Sequence, residues 1–296
     1  MSRSHVVRKA VVPAAGTGTR LLPATKSMPK EMLPVGRKPV IQYVLEELSA
    51  ADVREVLIVT SQQKRAIEDH FDLNGVWQER LETDAKWRTL LPQAEIEVQL
   101  FYTRQSVPRG LADAIARAEV FVGEEPFLVS LGDSILQSSR PGGLLQELIR
   151  LHLEKGARAT ILFEEVPPEA VVHYGIAKPK GRPERTFACE DLIEKPSPEE
   201  APSNLAVAAR YVFDPIVFEY IQKTPPGRNG EIQITDTMRL MLADGHPIWG
   251  LRMEVGERRL DIGNFGSYFE AFFELALQDP EHGQEFREYV RRRLQE

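Results

Sequence analysis

The sequence contains one cysteine, Cys189, among 296 residues. A lone thiol excludes an intrachain disulfide framework and a cysteine-rich zinc site. No activating base stands near it in the sequence, so we expect a buried and inert thiol rather than a nucleophile. A chain of this kind suits a reducing compartment.

Long apolar runs are also missing. No segment approaches the roughly 20 apolar residues that a membrane-spanning helix requires, and residues 1–9 lack the apolar core of a signal peptide. We therefore expect a cytoplasmic protein with no membrane partner.

Positive charge is not in excess. The sequence has 37 Lys and Arg against 44 Asp and Glu, a formal net charge of −7. No block of like charge is long enough to bind a phosphate backbone non-specifically, which disfavours a nucleic-acid partner but not a single nucleotide. With 42% hydrophobic and 27% charged residues, the composition is that of a globular chain.

Apolar, β-branched runs alternate with helical patterns in the first half of the chain. The runs cover residues 9–13, 55–60, 97–102 and 127–131, and residues 40–51 and 111–121 have helical spacing. Runs that are apolar on both faces favour a buried, mainly parallel sheet with helical crossovers. The pattern predicts an α/β fold of three layers, α/β/α and Rossmann-like, with sites at the carboxyl ends of the strands.

The pattern changes after about residue 160. Shorter runs at 159–163, 174–178, 192–195 and 205–213 are joined by Pro-rich loops, and 179–185 is typical of an exposed turn. We expect a mixed extension of the same sheet in a single domain, residues 1–296, because no linker divides the chain. Residues 265–277 carry a phenylalanine-rich helical stripe. We expect it to pack on the chain's own sheet, with a subunit contact as the alternative.

A small-residue loop follows the first strand, and it consists of Ala14, Ala15, Gly16, Thr17, Gly18, Thr19 and Arg20. Its backbone N–H groups can approach phosphate oxygens, and Arg20 adds a fork of donors. No Gly-Lys-Ser/Thr follows, so it is not a Walker loop, and Leu21 replaces the third glycine of a dinucleotide loop. A plain glycine turn remains the alternative.

Two further features strengthen the phosphate interpretation. The segment Leu22–Pro34 combines three prolines with Lys26 and Lys30, which is typical of a rigid loop that presents cations. Asp133 lies just beyond the 127–131 strand, where a carboxylate reaches the crevice above a parallel sheet. Ordinary surface charge remains the alternative for the two lysines.

Over residues 8–277 the sequence resembles the sugar nucleotidyltransferases, and among them the bacterial UTP:glucose-1-phosphate uridylyltransferases. The motifs stand in order: Pro13-Ala-Ala-Gly-Thr-Gly-Thr-Arg20, Pro29-Lys-Glu-Met-Leu-Pro34, Lys38-Pro-Val-Ile-Gln-Tyr43, Arg104-Gln105, Gly110-Leu-Ala-Asp-Ala-Ile115, Leu131-Gly-Asp133, Tyr174-Gly175, Ile193-Glu-Lys-Pro196, Ala201–Val207, Gly230–Asp236 and Leu260-Asp-Ile-Gly263. The resemblance implies the nucleotide-diphospho-sugar transferase fold. It also implies a nucleotide-binding part (8–135), a sugar-binding part (136–263) and C-terminal helices (264–296).

The resemblance implies the reaction of UTP with glucose 1-phosphate to give UDP-glucose and pyrophosphate. Magnesium is the implied cofactor, and Asp133 and Asp261 are the implied metal ligands. Arg20 and Lys30 resemble the groups that hold the triphosphate and stabilise pyrophosphate, and Lys195 resembles the cation on the sugar phosphate. Because the attacking phosphate oxygen is already an anion, none of the six histidines is expected to serve as a base.

The remaining implied site residues divide into two sets. Residues 14–19, Gln105 and Gly110 match nucleotide-binding positions, with Gln105 and Gly110 at the base. Gly175, Glu194 and Asn204 match sugar-binding positions together with Lys195. Glu31 matches a nearby family position of unassigned role.

The family pattern is not followed everywhere. Gly132 precedes Asp133, as in the thymidylyltransferase branch, so dTTP or another hexose 1-phosphate remains an alternative substrate. A non-catalytic nucleotide-sugar sensor and an NAD-dependent enzyme are further alternatives. Relatives are commonly dimers or tetramers, which implies a homo-oligomer.

Overall fold

The computed structural model describes residues 6–73, 75–227 and 230–295. The strands are β1 (Lys9–Pro13), β2 (Pro34–Val35), β3 (Lys38–Pro39), β4 (Glu55–Thr60), β5 (Gln99–Arg104), β6 (Phe127–Ser130), β7 (Ser134–Gln137), β8 (Ala159–Glu165), β9 (Gly175–Pro179), β10 (Thr186–Glu194), β11 (Leu205–Phe213), β12 (Ile248–Arg252) and β13 (Arg258–Asp261).

The helices are α1 (Val40–Ala50), α2 (Arg65–Phe71), α3 (Gly75–Thr83), α4 (Lys86–Leu90), α5 (Leu111–Ala116), α6 (Glu119–Val122), α7 (Gly143–Lys155), α8 (Val217–Lys223), α9 (Ile234–Ala243), α10 (Phe265–Leu277) and α11 (Gly283–Gln295). Short 3₁₀ turns lie between them, including Lys30–Met32.

The central sheet has the strand order β5-β4-β1-β6-β11-β8-β12-β10-β9 in the described residues. The first four strands pair in parallel, whereas β11 pairs antiparallel with both β6 and β8. Parallel pairing returns between β8 and β12. The predicted nucleotide-binding part supplies the parallel half and the predicted sugar-binding part supplies the mixed half; this division stays a prediction.

Each face of the sheet carries its own apolar core. Helices α1 and α7 cover one face with residues such as Leu45 and Leu148. Helices α5, α6, α8 and α9 cover the other, where Ile115, Phe218 and Met238 are buried. These two helical layers confirm the predicted three-layer α/β/α class.

Most strand predictions are close to the structure. Residues 9–13, 55–60 and 205–213 form β1, β4 and β11 as predicted. The strand predicted at 97–102 lies at 99–104. Its register is set by its partner β4, whose first residue, Glu55, pairs with Gln99. The helix predicted at 111–121 is two helices, α5 and α6, separated by Arg117 and Ala118.

A small two-stranded sheet, β7 with β13, stands apart from the central sheet. Ser134 pairs with Asp261 in its antiparallel register. Asp133 directly precedes β7 and Asp261 ends β13, so this pairing brings two carboxylates together from distant parts of the sequence.

The phenylalanine-rich helix packs on strands of its own chain, as predicted, but these are β2 and β13 of the small sheets rather than strands of the central sheet. Helix α10 packs through Tyr268, Ala271 and Leu275 on a separate small core that includes Val35 and Ile135. The opposite face leaves Phe269 62% exposed, with Phe272 and Phe273 also exposed. The stripe is wider than the surface that the small core offers, which helical periodicity alone does not reveal.

The predicted inert thiol is confirmed. Cys189 lies in β10 and is buried. Burial raises its pKa to about 12, so the thiol stays protonated at neutral pH.

Candidate active site

One cavity of about 500 Å³ opens above the carboxyl ends of β1 and β6. It is lined by Arg20, Leu111, Leu131, Asp133, His173, Tyr174, Gly175, Glu194, Lys195, Val207, Ala209, Tyr211, Gln233, Ile234, Thr235, Arg259, Asp261 and Asn264. Six of the predicted site residues are in this lining: Arg20, Asp133, Gly175, Glu194, Lys195 and Asp261. Lys30, residues 14–19, Gln105, Gly110 and Asn204 are not part of it. A shared cavity is what a reaction between two phosphate compounds requires.

Backbone N–H groups hold the main chain of Asp133 and the carboxylate of Asp261. The Ile262 N–H donates to the Asp133 carbonyl at 3.2 Å, and the Gly263 N–H donates to Oδ2 of Asp261 at 3.0 Å. A Cβ on Gly263 would lie 2.6 Å from that oxygen, so only glycine fits beside the carboxylate.

The charges of the two carboxylates act on each other. Burial, followed by the charge of Asp133, raises the pKa of Asp261. Burial opposes ionisation of Asp133 as well, but the Lys30 ammonium outweighs it and lowers the pKa of that carboxyl. Two half-buried carboxylates in one cavity form a favourable position for a divalent cation.

Lys30 reaches this pair from the rigid loop after β1. Its Nζ forms an ion pair with Asp133. Burial alone would lower the Lys30 pKa, but Asp133 and Glu31 raise it above its ordinary value, so the side chain stays an ammonium.

The adjacent Glu31 anchors the same turn from behind. It is 1% exposed, and its Oε2 accepts a hydrogen bond from the buried Lys64 ammonium at 2.6 Å. This pair holds the 3₁₀ turn from which Lys30 reaches Asp133, which supplies a positioning role for Glu31.

The small-residue loop leads from β1 to Arg20, which lines the cavity. Ala14 and Ala15 are buried, and the Ala14 N–H is bonded to the Val59 carbonyl at 2.9 Å. Gly18 has a left-handed φ of 67°. Gly16 is exposed, and a Cβ there would lie 3.9 Å from the Lys30 ammonium. The loop backbone therefore runs beside a cation, as a phosphate cradle would.

Arg20 differs from most arginines of this protein. It is exposed and lines the cavity. No carboxylate of the described residues lies within ion-pair distance of it, whereas Lys30 is already paired with Asp133. Its guanidinium is therefore available to an incoming anion.

The predicted sugar side is organised around Glu194. Thr235 donates a hydrogen bond to its Oε2 at 2.7 Å, and Lys195 Nζ lies 3.2 Å from its Oε1. Lys195 leaves β10 with a left-handed φ of 47°. A Cβ on Gly175 would lie 2.8 Å from Oγ1 of Thr235, so glycine keeps the space in front of this cluster open.

Two predicted residues lie elsewhere. Asn204 is exposed and outside the cavity lining, and its carbonyl accepts the Val166 N–H at 3.0 Å. Gln105 is 3% exposed and lies beside Gly110, whose carbonyl it contacts at 3.2 Å. Gly110 directly precedes Leu111, which lines the cavity.

Sequence reasoning missed several lining residues. Arg259 is 6% exposed, forms ion pairs with Glu164 and Asp261, and stacks on Tyr174 at 4.8 Å. Arg259 lies two residues before Asp261 on β13, so both side chains lie on the same face of the strand. Once Asp261 was assigned to the site, this spacing could have predicted Arg259 as well. His173 also lines the cavity, although no motif pointed to it.

A buried arginine supports the floor of the site. Arg210 is 0% exposed, donates to Glu47 Oε2 at 2.7 Å, and donates to the carbonyls of Ser134 and Ala209 at 2.8 and 3.0 Å. The Leu131 N–H donates to the same Ala209 carbonyl at 3.1 Å. The loop that carries Asp133 is thus tied to the core on both sides.

A larger cleft of about 890 Å³ lies between β12, β13 and α10. Its arginines are all neutralised: Arg252 pairs with Glu165, Arg258 with Glu274, and Arg259 with Glu164. A cleft whose cations are already paired is a poor site for phosphate, in contrast to the cavity that contains Arg20.

The nucleotidyl transferase family model matches residues 9–278, and the chain belongs to this family. It is 43% identical to a putative UTP--glucose-1-phosphate uridylyltransferase of Methanocaldococcus jannaschii, over 97% of this chain and 98% of that one. It is 42% identical to the UTP--glucose-1-phosphate uridylyltransferase of Bacillus subtilis, over 93% of each. A UDP-glucose pyrophosphorylase solved with UDP-glucose has a TM-score of 0.83 and 36% identity, covering 92% of this chain and 100% of the other.

Within the described ranges, no helix is both long and apolar enough to span a bilayer.

The described ranges contain no group of three or more His, Cys, Asp and Glu side chains arranged around a metal position. A metal held by Asp133 and Asp261 would therefore take its other ligands from water or substrate.

Proposed function

We propose that this chain transfers a uridylyl group from UTP to glucose 1-phosphate, giving UDP-glucose and pyrophosphate. The observation that carries the proposal is the single cavity in which Arg20 and Lys195 lie with Asp133 and Asp261. The activity named for the Bacillus subtilis relative and the UDP-glucose bound in the related structure support this substrate pair.

The residues divide the work between the two substrates. Lys195 holds the phosphate group of glucose 1-phosphate, and Glu194 accepts hydrogen bonds from the sugar hydroxyls. A phosphate oxygen of glucose 1-phosphate then attacks the α-phosphorus of UTP. As this oxygen–phosphorus bond forms, the bond to pyrophosphate breaks, and Arg20 and Lys30 stabilise the departing charge. The nucleophile is already an anion, so positioning and charge neutralisation supply most of the rate.

Asp133 and Asp261 would hold Mg²⁺. Magnesium prefers oxygen ligands and is commonly bound by one or two carboxylates plus substrate phosphates, which fits a site with two acidic side chains. When bound, the ion would neutralise phosphate charge near the α-phosphorus. Burial and then the charge of Asp133 raise the pKa of Asp261, and a divalent cation between the two carboxylates would offset both effects.

A substrate panel tests the proposal. Purified protein is incubated with magnesium, with UTP, dTTP or CTP, and with glucose or galactose 1-phosphate, and pyrophosphate release is measured. We expect the highest kcat/KM for UTP with glucose 1-phosphate. A higher value with dTTP would identify a thymidylyltransferase, and tight UDP-glucose binding without any turnover would identify a sensor.

We further infer that the protein is a homo-oligomer, a dimer or tetramer, in a reducing cytoplasm. The exposed phenylalanines of α10, Phe269, Phe272 and Phe273, support self-association through this face. Light scattering of the wild-type protein should give a mass of two or four chains. Phe269→Ser should shift it toward one chain, whereas a monomeric wild type would contradict the inference.

A further inference from the structure

The side-chain amide of Gln105 has a fixed direction. Its Nε2 donates to the Gly110 carbonyl at 3.2 Å and to Oδ2 of Asp113 at 2.6 Å. Neither partner can donate a hydrogen bond. The Gly110 oxygen belongs to a carbonyl, and the Asp113 carboxylate also accepts from the Arg117 guanidinium, through Oδ1 at 2.9 Å. The NH₂ end of Gln105 must therefore face Asp113, and its Oε1 must face away.

This orientation leaves the Oε1 acceptor of Gln105 without a partner. Gln105 is 3% exposed, and its Oε1 accepts no hydrogen bond from any described residue. Beside it, the Gly110 N–H also has no acceptor within the described ranges. A fixed acceptor and a fixed donor that lie side by side without partners are preorganised for a ligand, so they point to one that completes both hydrogen bonds.

The Gly110 segment leaves no room for adjustment. Gly110 has a φ of 105°, and a Cβ there would lie 2.5 Å from the Ile232 carbonyl oxygen. The Ile232 N–H donates to the Arg109 carbonyl at 2.7 Å, and the Ala112 N–H donates back to the Ile232 carbonyl at 3.1 Å. The N–H and the carbonyl of Gly110 are therefore held on a rigid turn at the start of α5.

We propose that Asp113 is a positioning residue that sets base specificity by fixing the Gln105 amide with its oxygen toward the base. The proposal rests on the proposed use of UTP. Uracil has one donor on its pairing edge, N3–H, between two carbonyls, so Oε1 pairs with N3–H and the Gly110 N–H pairs with a neighbouring carbonyl. Thymine has the same edge, whereas cytosine in the same position sets a lone pair at N3 against Oε1 and is rejected.

The test uses the variant Asp113→Asn, which keeps the shape of the side chain. Arg117 can only donate, so it draws the oxygen of the new amide and turns the NH₂ group toward Gln105. Either direction of the Gln105 amide then has one unfavourable contact: its NH₂ group faces that of the new amide, or its oxygen faces the Gly110 carbonyl, to which Nε2 donates in the wild type. The amide therefore no longer has one fixed direction, and we expect the ratio of kcat/KM for UTP to kcat/KM for CTP to fall about tenfold.

Two further variants separate orientation from general damage. Arg117→Ala removes an exposed partner but leaves the Asp113 carboxylate in place, so its ratio should stay within about twofold of wild type. The double variant Asp113→Asn/Arg117→Ala frees the new amide to turn its oxygen back, so part of the lost ratio should return. Thermal denaturation of each variant confirms that it is folded.

The outcomes distinguish this inference from the proposed function. If the wild type uses UTP and Asp113→Asn lowers kcat/KM for UTP and CTP by the same factor, Asp113 has only a structural role and the inference is overturned. If Arg117→Ala alone lowers the ratio as far, Asp113 does not set the orientation. Failure of the wild type to use UTP would overturn the proposed function and this inference together.

Discussion

Replacing Asp133 by asparagine is expected to reduce kcat by about 10²- to 10³-fold or more, the range seen when one group that stabilises transition-state charge is removed. The substitution removes one of the two carboxylates in the cavity and the ion-pair partner of Lys30. The remaining carboxylate would bind the proposed Mg²⁺ more weakly, and without that ion the two phosphate compounds would meet with less neutralisation of their charge. The measurement is steady-state pyrophosphate release over a range of magnesium concentrations, with Mn²⁺ binding followed separately by electron paramagnetic resonance.

A matched control separates this effect from a general change of charge. Asp69 lies on α2, is 62% exposed, and is not part of the cavity lining. Asp69→Asn should keep the wild-type rate and metal binding. If Asp133→Asn kept both as well, Asp133 would have no metal role and the proposed chemistry would need another acid.

Asp133 shows what the sequence was able to predict. A carboxylate at the end of a buried strand must lie at the edge of the sheet, and β1, β4, β6 and β11 are apolar enough to be located from composition alone. The family resemblance then placed Asp261 in the same site. The structure adds the cause, because the pairing of β7 with β13 sets Ser134 opposite Asp261.

Other parts of the site depend on contacts that the sequence does not express. Examples are the exposed position of Asn204, the stacking of Arg259 on Tyr174 and the hydrogen bond between Gln105 and Asp113. Each depends on how separate segments pack in space. The same holds for Phe269, because helical periodicity shows an apolar face but not the area that covers it. Local patterns determine elements, and contacts between elements determine the finer geometry.

The buried pair of Glu47 and Arg210 leads to the second large expected effect. Glu47→Leu should lower the free energy of unfolding by about 3–5 kcal/mol, the usual cost of breaking a buried ion pair by removing one partner. Arg210 is 0% exposed and Glu47 only 10%. A buried carboxyl can become neutral by binding a proton, but an arginine keeps its charge. The unpaired guanidinium would therefore remain charged in the core and destabilise the folded state. Urea unfolding of the variant and the wild type measures this difference.

The double variant Glu47→Leu/Arg210→Met separates stability from positioning. Replacing both charges by apolar side chains should restore most of the stability, since buried pairs are often no better than well-packed apolar residues. Glu46→Leu, in the more exposed pair with Lys38, is the control and should cost less than about 1 kcal/mol. The double variant still lacks the donor to the Ser134 carbonyl, so kcat should remain low because the loop that carries Asp133 is less firmly held. Recovery of kcat together with stability would show that Arg210 supports the fold alone.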